Sequence, residues 1–138
     1  MPFVLDASVT LVWALTDESD AVADRAFDQI RLERAFAPLL WWYEIRDGLV
    51  LAERRGRLAP EDTANFLDKL GTLRITLSQP VDDRRVLQLA RKHKLTLYDA
   101  SYLELAERLE LPLATLDAEL ARAARREKVP LLTTTLSS

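Results

Sequence analysis

The sequence has no cysteine and only one histidine. Without cysteine it can form neither a disulfide framework nor a thiolate zinc site, and it fits a reducing compartment. Long apolar runs are also lacking, since none reaches the roughly 18 residues of a membrane-spanning helix. The apolar start, MPFVLDASVTLVWAL, carries Asp6 and has no basic segment of the kind that opens a secretory signal. These absences predict a soluble, cytoplasmic protein.

A surplus of positive charge is missing as well, because the formal net charge is −3. Phosphate contacts need clustered lysine and arginine, so this balance argues against non-specific coating of nucleic acid. Two local basic clusters are nevertheless present: Arg46, Arg54, Arg55 and Arg57 form one, and Arg84, Arg85, Arg91, Lys92 and Lys94 form the other. Each cluster is open to two interpretations, a solvated helix face or a groove for a charged partner.

The chain is long and apolar enough for one folded domain over residues 1–138, since 49% of its residues are hydrophobic. Short apolar runs bounded by proline or polar residues predict buried strands. Such runs lie at 3–5, 35–38, 74–77, 95–98 and 113–116, with a further edge strand at 129–133. Helical patterns alternate with the strands. This alternation predicts an α/β fold with a central parallel, doubly wound sheet and helices on both faces.

The predicted helix at 39–55 carries two adjacent tryptophans, Trp41 and Trp42. Neighbouring residues on a helix point about 100 degrees apart, so we do not expect both rings to face the same core. One of them could belong to an interface, where tryptophan is enriched. The alternative is that a broad helix face buries both.

Four acidic residues stand out by position. They are Asp6, Asp99 and Asp117, each after a predicted strand, and Glu44 on the inner edge of a helix, and we call them the four acids. Loops at the carboxyl ends of parallel strands line the crevice where ligands bind. Each aspartate could instead be the N-cap of the helix that follows it. The alternative for Glu44 is a solvated boundary position.

Taken together, the four acids predict a cation site. Carboxylates that share a site raise each other's pKa and are costly to bury, so such a cluster normally holds a cation. Oxygen-only ligands favour Mg²⁺ or Mn²⁺ over Zn²⁺. The single histidine, His93, lies at a predicted helix C-terminus beside Lys92 and Lys94. We expect it to belong to a solvated cationic helix end rather than to a metal site.

Stretches around the four acids resemble the acidic motifs of PIN-domain nucleases, and in particular of VapC-type toxins from toxin-antitoxin pairs. They are VLDAS at 4–8, YEIRDGL at 43–49, LTLYDASYLELA at 95–106 and LATLDAEL at 113–120. The resemblance spans nearly the whole chain. It implies a magnesium- or manganese-binding catalytic centre made of Asp6, Glu44, Asp99 and Asp117, with Ser8 and Thr115 in supporting positions.

The same resemblance implies metal-dependent hydrolysis of RNA with one or two ions. In this interpretation Asp117 joins the other three ligands only when a second ion and substrate are present, and Asp47 stands where relatives often carry asparagine. Single-stranded or loop RNA is the implied substrate, a VapB-like antitoxin the implied partner, and a homodimer the implied assembly. The candidate RNA-binding residues are Arg46, Arg84 and Arg85.

Two other functions fit part of this pattern. A phospho-receiver module is also a small parallel α/β domain that binds magnesium, but it needs a paired acid beside the first strand and an aspartate after the third. Asp6 has no acidic neighbour, and the run at 74–77 has no aspartate at its end. A PIN-like scaffold that only binds a partner is the second alternative. A serine hydrolase is disfavoured, because Ser8 has no histidine suited to activating it.

Overall fold

The computed structural model of the chain describes residues 1–15 and 17–133. Within them the strands are β1 (Phe3–Leu5), β2 (Ala35–Pro38), β3 (Ile75–Ser78) and β4 (Leu113–Ala114). The helices of the described ranges are α1 (Ala7–Ala14), α2 (Ala21–Ile30), α3 (Leu40–Arg54), α4 (Pro60–Leu70), α5 (Asp83–His93), α6 (Leu97–Leu109) and α7 (Ala118–Arg126). None of these helices combines the length and the apolarity that a membrane crossing requires.

The strands form one parallel sheet in the order β3-β2-β1-β4. From β1 the chain moves outward through β2 to β3, and it then crosses back to β4 on the other side of β1. Because crossovers between parallel strands are right-handed, the two directions put the connecting helices on opposite faces. The predicted doubly wound α/β fold is therefore confirmed. Its winding reverses between β1 and β4, where sheets of this type bind ligands at the carboxyl ends of the strands.

Helix α6 is the centre of one helix layer. It contacts β1, β2 and β4, and every residue from Ala100 to Ala106 is buried. The strands it covers are buried as well, as expected for a parallel sheet with both faces covered. The hydroxyl of Tyr102 accepts a hydrogen bond from the amide of Ala7, which follows β1. The first turns of α6 therefore lie at the carboxyl edge of the sheet.

Helices α1 and α3 approach each other closely. A Cβ added to Gly48 would lie 2.7 Å from Leu11 Cδ1, so a larger residue there would displace that leucine side chain. Trp41 is buried and donates its indole N–H to Thr10 Oγ1 at 3.2 Å. Both contacts fix α3 against the start of α1. As a result, the acid carried by α3 faces the acid that precedes α1.

Two of the strand predictions are wrong. Residues 95–98 do not form a strand, because Thr96 is the N-cap of α6 and Leu97 already begins that helix. A short apolar run does not distinguish a buried strand from the first turn of a buried helix, and the cap decides the outcome. At 129–133 the structure has no edge strand and only one parallel bridge, between Leu131 and Leu113.

The adjacent tryptophans are separated as their spacing predicts. Trp41 packs in the core, whereas Trp42 is 44% exposed on the outside of α3. The interpretation that a broad helix face buries both rings is therefore wrong. Of the two, Trp42 alone stays available for an interface.

Candidate active site

The carboxyl ends of β1 and β4 border an open cavity of about 320 Å³. All four acids line it, and they come from separate segments: the residue after β1, the second turn of α3, the first turn of α6 and the N-cap of α7. None of the described residues that line this cavity is a lysine, an arginine or a histidine. The remaining lining residues are Ala7, Ser8, Leu11, Asp47 and Gly48.

Asp6 is almost fully buried, at 5% exposure, and its carboxylate does not cap the helix that it precedes. Instead, its Oδ2 accepts hydrogen bonds from Ser8 Oγ at 2.6 Å and from Thr115 Oγ1 at 2.7 Å. Burial raises the pKa of Asp6, the two hydroxyls lower it, the charge of Asp117 raises it, and the Ala7 amide lowers it. The N-cap interpretation is therefore wrong for Asp6.

The two hydroxyls also join the ends of β1 and β4. Ser8 Oγ accepts a hydrogen bond from the Leu116 amide at 3.0 Å, and Thr115 Oγ1 accepts one from the Asp117 amide at 3.0 Å. Each hydroxyl thus donates to Asp6 while it accepts from the loop after β4. This loop and the Asp6 carboxylate are held in one arrangement.

Glu44 is half-buried on α3. Its Oε1 accepts a hydrogen bond from the Tyr102 hydroxyl at 2.6 Å. Burial raises the pKa of Glu44 to about 7, the Tyr102 bond lowers it, and the charges of Asp6 and Asp99 raise it. Burial and the charges of Asp6 and Glu44 raise the pKa of Tyr102, so the phenol keeps its proton. The boundary interpretation holds for the position of Glu44, and the Tyr102 bond together with the neighbouring charges gives its carboxylate a specific environment.

Asp99 occupies the third position of α6 and is not its cap. The cap is Thr96, whose Oγ1 accepts a hydrogen bond from the Asp99 amide at 3.1 Å. Burial raises the pKa of Asp99 to about 6, the charges of Asp117 and Asp6 raise it as well, and a bond to Thr96 lowers it. The Asp99 carboxylate therefore interacts electrostatically with the aspartates across the cavity.

Of the three aspartates among the four acids, Asp117 is the one for which the N-cap interpretation holds. Its Oδ1 accepts hydrogen bonds from the amides of Glu119 at 2.9 Å and Leu120 at 3.2 Å, at the start of α7. It also lines the cavity, beside the exposed Asp47 of α3. A cap and a ligand are compatible here, because a carboxylate has two oxygens and several lone pairs.

The chemistry of these donors fits a divalent cation with oxygen ligands. Burial and then mutual repulsion raise the pKa values of Asp6, Glu44 and Asp99. A bound cation would relieve that repulsion and favour the ionised carboxylates. No three acidic or histidine side chains within residues 1–15 and 17–133 are arranged so that they hold one ion together. The donor chemistry is therefore present, whereas a completed ligand set is not.

The structure does not bring Arg84 or Arg85 to this cavity. Arg85 Nε and Nη2 donate to the Glu107 carboxylate at 2.6 and 2.7 Å, and Nη2 also donates to Glu127 at 3.0 Å. Glu107 lies further along α6 than Asp99, by about 12 Å of helix axis at 1.5 Å per residue. Arg84 lines a separate cavity of about 690 Å³ on α5.

Arg46 projects from a different side of α3 than Glu44. Its guanidinium lies 3.9 Å from the centre of the Trp42 ring and donates to the Trp42 carbonyl at 3.1 Å. Residues four apart share one side of a helix, so Trp42 and Arg46 stand together, while Glu44 and Asp47 turn toward the cavity. This flank combines an exposed aromatic ring with a cation.

The prediction of a solvated cationic helix end is wrong for His93. Its side chain is 3% exposed, and its Nε2 lies 2.6 Å from Glu127 Oε2. Glu127 also pairs with Lys92 at 2.7 Å and with Arg85 at 3.0 Å. The Lys92 bond lowers the pKa of Glu127 to about 2, desolvation opposes it, and the bonds with His93 and Arg85 lower it further. Glu127 comes from the end of α7, so the sequence around His93 does not reveal it.

A larger cavity of about 630 Å³ lies between α1, α2 and α4 and has a different character. Trp13 and Phe27 meet there edge to face, with ring centroids 5.3 Å apart. Asp62 is the only acid among the described residues that line it, and it accepts a hydrogen bond from the Ala59 amide. Four carboxylates converge in the smaller cavity and not in this one, as far as the described lining residues show, so the smaller cavity is the candidate active site.

Tyr102 is the residue at this site that the sequence reasoning missed. It follows Asp99 by three positions, so both stand on the same side of α6. A tyrosine on a helix that is otherwise buried needs a partner for its hydroxyl. In YDASYLELA, that combination of spacing and residue type was the available signal.

Comparison with known proteins identifies the family. The family model described as "PIN domain" matches residues 3–126, and the chain belongs to this family. Ribonuclease VapC3 of Pyrobaculum aerophilum is 33% identical over 139 residues, which cover 97% of this chain and 99% of that protein. The resemblance to PIN-domain, VapC-type proteins that the four acidic motifs predict is confirmed.

Two crystal structures share the fold. PAE2754 from Pyrobaculum aerophilum has a TM-score of 0.68 and 26% identity, with 89% of this chain and 84% of that chain covered. FitAcB from Neisseria gonorrhoeae has a TM-score of 0.66 and 20% identity, with 97% of this chain and 98% of that chain covered. The second likeness is one of fold alone.

Proposed function

We propose that this chain is a metal-dependent ribonuclease that hydrolyses phosphodiester bonds in RNA, and that it is the toxin of a VapBC-type toxin-antitoxin pair. Similarity to Ribonuclease VapC3 along 97% of the chain supports the activity. The observation that carries the proposal is the convergence of the four acids on one cavity, at the point where the winding of the sheet reverses.

In this proposal Asp6, Glu44 and Asp99 hold a Mg²⁺ or Mn²⁺ ion, directly or through water, and Asp117 contributes when substrate and a second ion are present. The bound ion would supply the positive charge that activates water and offsets charge on the reacting phosphate. Ser8 and Thr115 keep Oδ2 of Asp6 oriented. Protons compete for the Glu44 and Asp99 oxygens near neutral pH, because their pKa values are raised to about 7 and about 6.

The RNA must be held by cations outside the cavity, since its phosphates and the four acids repel each other. Arg46 with Trp42 offers a cation beside an aromatic face, a combination that suits single-stranded nucleic acid. Arg84 is exposed on α5 and stays a candidate. Arg85 is the weakest of the three, because Glu107 and Glu127 already balance its charge.

The proposed partners are a VapB-like antitoxin and a second copy of the chain. An antitoxin segment that carries an arginine would bind the mutually repelling carboxylates of the cavity and compensate their charge. Trp42, which is 44% exposed beside the 70% exposed Tyr43, is the candidate for a protein interface. A single domain over residues 1–138 and a cytoplasmic location stay predictions.

Membership in the PIN family excludes the phospho-receiver alternative. The non-catalytic scaffold is separated from the nuclease by cleavage of a labelled single-stranded RNA with purified protein. We expect cleavage with Mg²⁺ or Mn²⁺, loss of cleavage with excess chelator, and recovery when the metal is restored.

Two aspartate variants, purified in the same way, make this experiment specific. Asp6→Asn removes a proposed ligand and abolishes cleavage. Asp20→Asn is the matched control, because Asp20 caps α2 outside the cavity and asparagine caps equally well. Metal-independent cleavage, equal cleavage by Asp6→Asn, or a wild type that cleaves no RNA would contradict the nuclease proposal.

A further inference from the structure

We propose that Tyr102 is a positioning residue that holds the Glu44 carboxylate in the cavity for metal binding; this inference rests on the proposed function of the cavity. Tyr102 is fully buried, at 0% exposure. Its hydroxyl oxygen lies 2.6 Å from Glu44 Oε1 and 3.3 Å from the Ala7 amide nitrogen. A buried phenol is thus directed at a candidate ligand and at the backbone beside another.

The two hydrogen bonds of the Tyr102 hydroxyl have a defined direction. A backbone N–H only donates, so the phenol oxygen accepts from Ala7 and gives its single proton to Glu44 Oε1. This bond restricts rotation of the Glu44 carboxylate about its terminal side-chain bond. The carboxylate is thereby oriented by the protein itself.

The same hydroxyl connects segments that are far apart in the sequence. It joins α6 to Glu44 on α3, across 58 residues, and to the start of α1, across 95 residues. Ala7 directly follows Asp6, so the Tyr102 bridge links two of the four acids. Without it, repulsion from Asp6 and Asp99 would favour rotamers that turn Glu44 out toward solvent.

Hydrogen-bond partners of metal ligands commonly act in this way, and their loss costs about 10- to 100-fold in metal affinity or activity. Asp99 and Tyr102 stand one helical turn apart on α6. One rigid helix therefore supplies a proposed ligand and the residue that positions another. Tyr102 acts through Glu44 and does not itself contact the metal.

The test measures Mn²⁺ binding by isothermal titration calorimetry, without RNA, for the wild type, Tyr102→Phe, Glu44→Ala and the double variant. We expect Tyr102→Phe to weaken Mn²⁺ binding by about 10- to 100-fold in the wild-type background. In the Glu44→Ala background it should cause no further loss. In RNA cleavage, kcat should fall while KM for RNA stays unchanged. Tyr43→Phe loses the same atom from a 70% exposed ring and should bind Mn²⁺ like the wild type.

Tyr102→Phe also removes the bond from the Ala7 amide, both in the wild-type and in the Glu44→Ala background. Thermal unfolding of the metal-free variants measures what this loss costs in stability. Equal losses of Mn²⁺ affinity with and without Glu44 would mean a structural role only and would overturn the proposal. So would wild-type Mn²⁺ affinity in Tyr102→Phe, which would leave the ribonuclease proposal intact. A wild type that binds no Mn²⁺ would overturn both.

Discussion

Two clusters of charged side chains lie toward the two ends of helix α6, and their electrostatics are opposite. At its first turn, Asp99 faces Asp6 and Glu44 in a cavity that no described lysine, arginine or histidine lines. Toward its other end, Glu107 receives a two-pronged pair of hydrogen bonds from Arg85. We call the second cluster the ion-pair network; its members are Arg85, Lys92, His93, Glu107 and Glu127.

The pKa values of the carboxylates record this difference. In the cavity, burial raises the pKa of Glu44 to about 7 and that of Asp99 to about 6. In the ion-pair network, bonds led by the one from Lys92 lower the pKa of Glu127 to about 2. An ionised carboxylate therefore destabilises the folded state at one end of α6 and stabilises it at the other. Acids without counter-charges therefore mark the cavity as the candidate functional site.

The ion-pair network also stabilises the frame that carries the cavity. It connects α5 to α6 and to the end of α7. Asp99 lies at the opposite end of α6, and Asp117 caps the opposite end of α7. Buried Glu104 adds a pair with Arg108 at 2.9 Å on α6. These contacts keep the helices in place while the four acids repel each other.

The largest effect is expected from Asp99→Asn, which removes one repelling charge but keeps the size of the side chain. RNA cleavage should fall by more than the roughly 100-fold that loss of an outer-shell partner causes. The metal-free variant should melt no lower than the wild type, because repulsion is reduced. Magnesium should raise its melting temperature less than that of the wild type, because weaker binding stabilises the folded state less.

Cleavage kinetics and thermal melting with and without Mg²⁺ check this prediction. Asp20→Asn, a cap of α2, is the control and should match the wild type in both measurements. Full metal-dependent cleavage by Asp99→Asn would remove the distinction between the two clusters and most of the case for the site.

A smaller effect of opposite kind is expected from Glu127→Gln in the ion-pair network. Loss of the charge removes the partner of Lys92 and His93 and one of the two carboxylate partners of Arg85, so the free energy of unfolding at neutral pH should fall by about 2 kcal/mol, between the values for exposed and buried ion pairs. RNA cleavage should be unchanged under conditions where the variant is folded. Urea unfolding and cleavage kinetics measure the two quantities.

The exposed Asp68 of α4 offers a control for the loss of one negative charge, and Asp68→Asn should change stability by less than about 0.5 kcal/mol. If Glu127→Gln is as stable as the wild type, the network contributes nothing measurable. If the folded variant cleaves RNA more slowly, the two ends of α6 are not independent.

The smallest effect concerns the pH dependence of the metal-free protein. Glu44 and Asp99 have raised pKa values when folded, so their contribution to stability is present at low pH and is lost as pH rises toward about 7. With allowance for solvent screening of these half-exposed groups, the free energy of unfolding should fall by about 1 kcal/mol from about pH 4.5 to about pH 7.5. Glu127 affects the pH dependence only below this pH window. Because its pKa is lowered to about 2, its contribution to stability is lost as pH falls toward that value.

Urea unfolding of the wild type and of the Glu44→Gln, Asp99→Asn double variant isolates the contribution of these two groups, since Asp6, whose pKa burial also raises, is present in both proteins. The difference between the two proteins should carry the pH dependence, and saturating Mg²⁺ should abolish it in the wild type. A pH dependence that is identical in both proteins would show that ionisation of Glu44 and Asp99 does not lower the stability of the fold.

Most of the fold was predictable, because short apolar runs and helical spacing are local properties of the chain. The strand at residues 3–5 and the one at 35–38 were predicted with their observed bounds. The run at 95–98 was not predictable in this way, since a short apolar run in the sequence suits a strand and the first turn of a helix equally. There the hydroxyl of Thr96, which caps α6, made the difference.

The sequence by itself indicated the family and the candidate site residues. Four acids, their spacing and the motifs around them indicated a PIN-domain protein, because the motifs match as a set, whereas each aspartate taken singly could be a helix cap. Only the tertiary structure decided how these acids are held. Ser8 and Thr115 meet on Asp6 across more than a hundred residues, Tyr102 reaches Glu44 across α6 and α3, and Glu127 binds His93 from another helix. Such contacts depend on where helices pack against the sheet, and no local pattern in the chain records that.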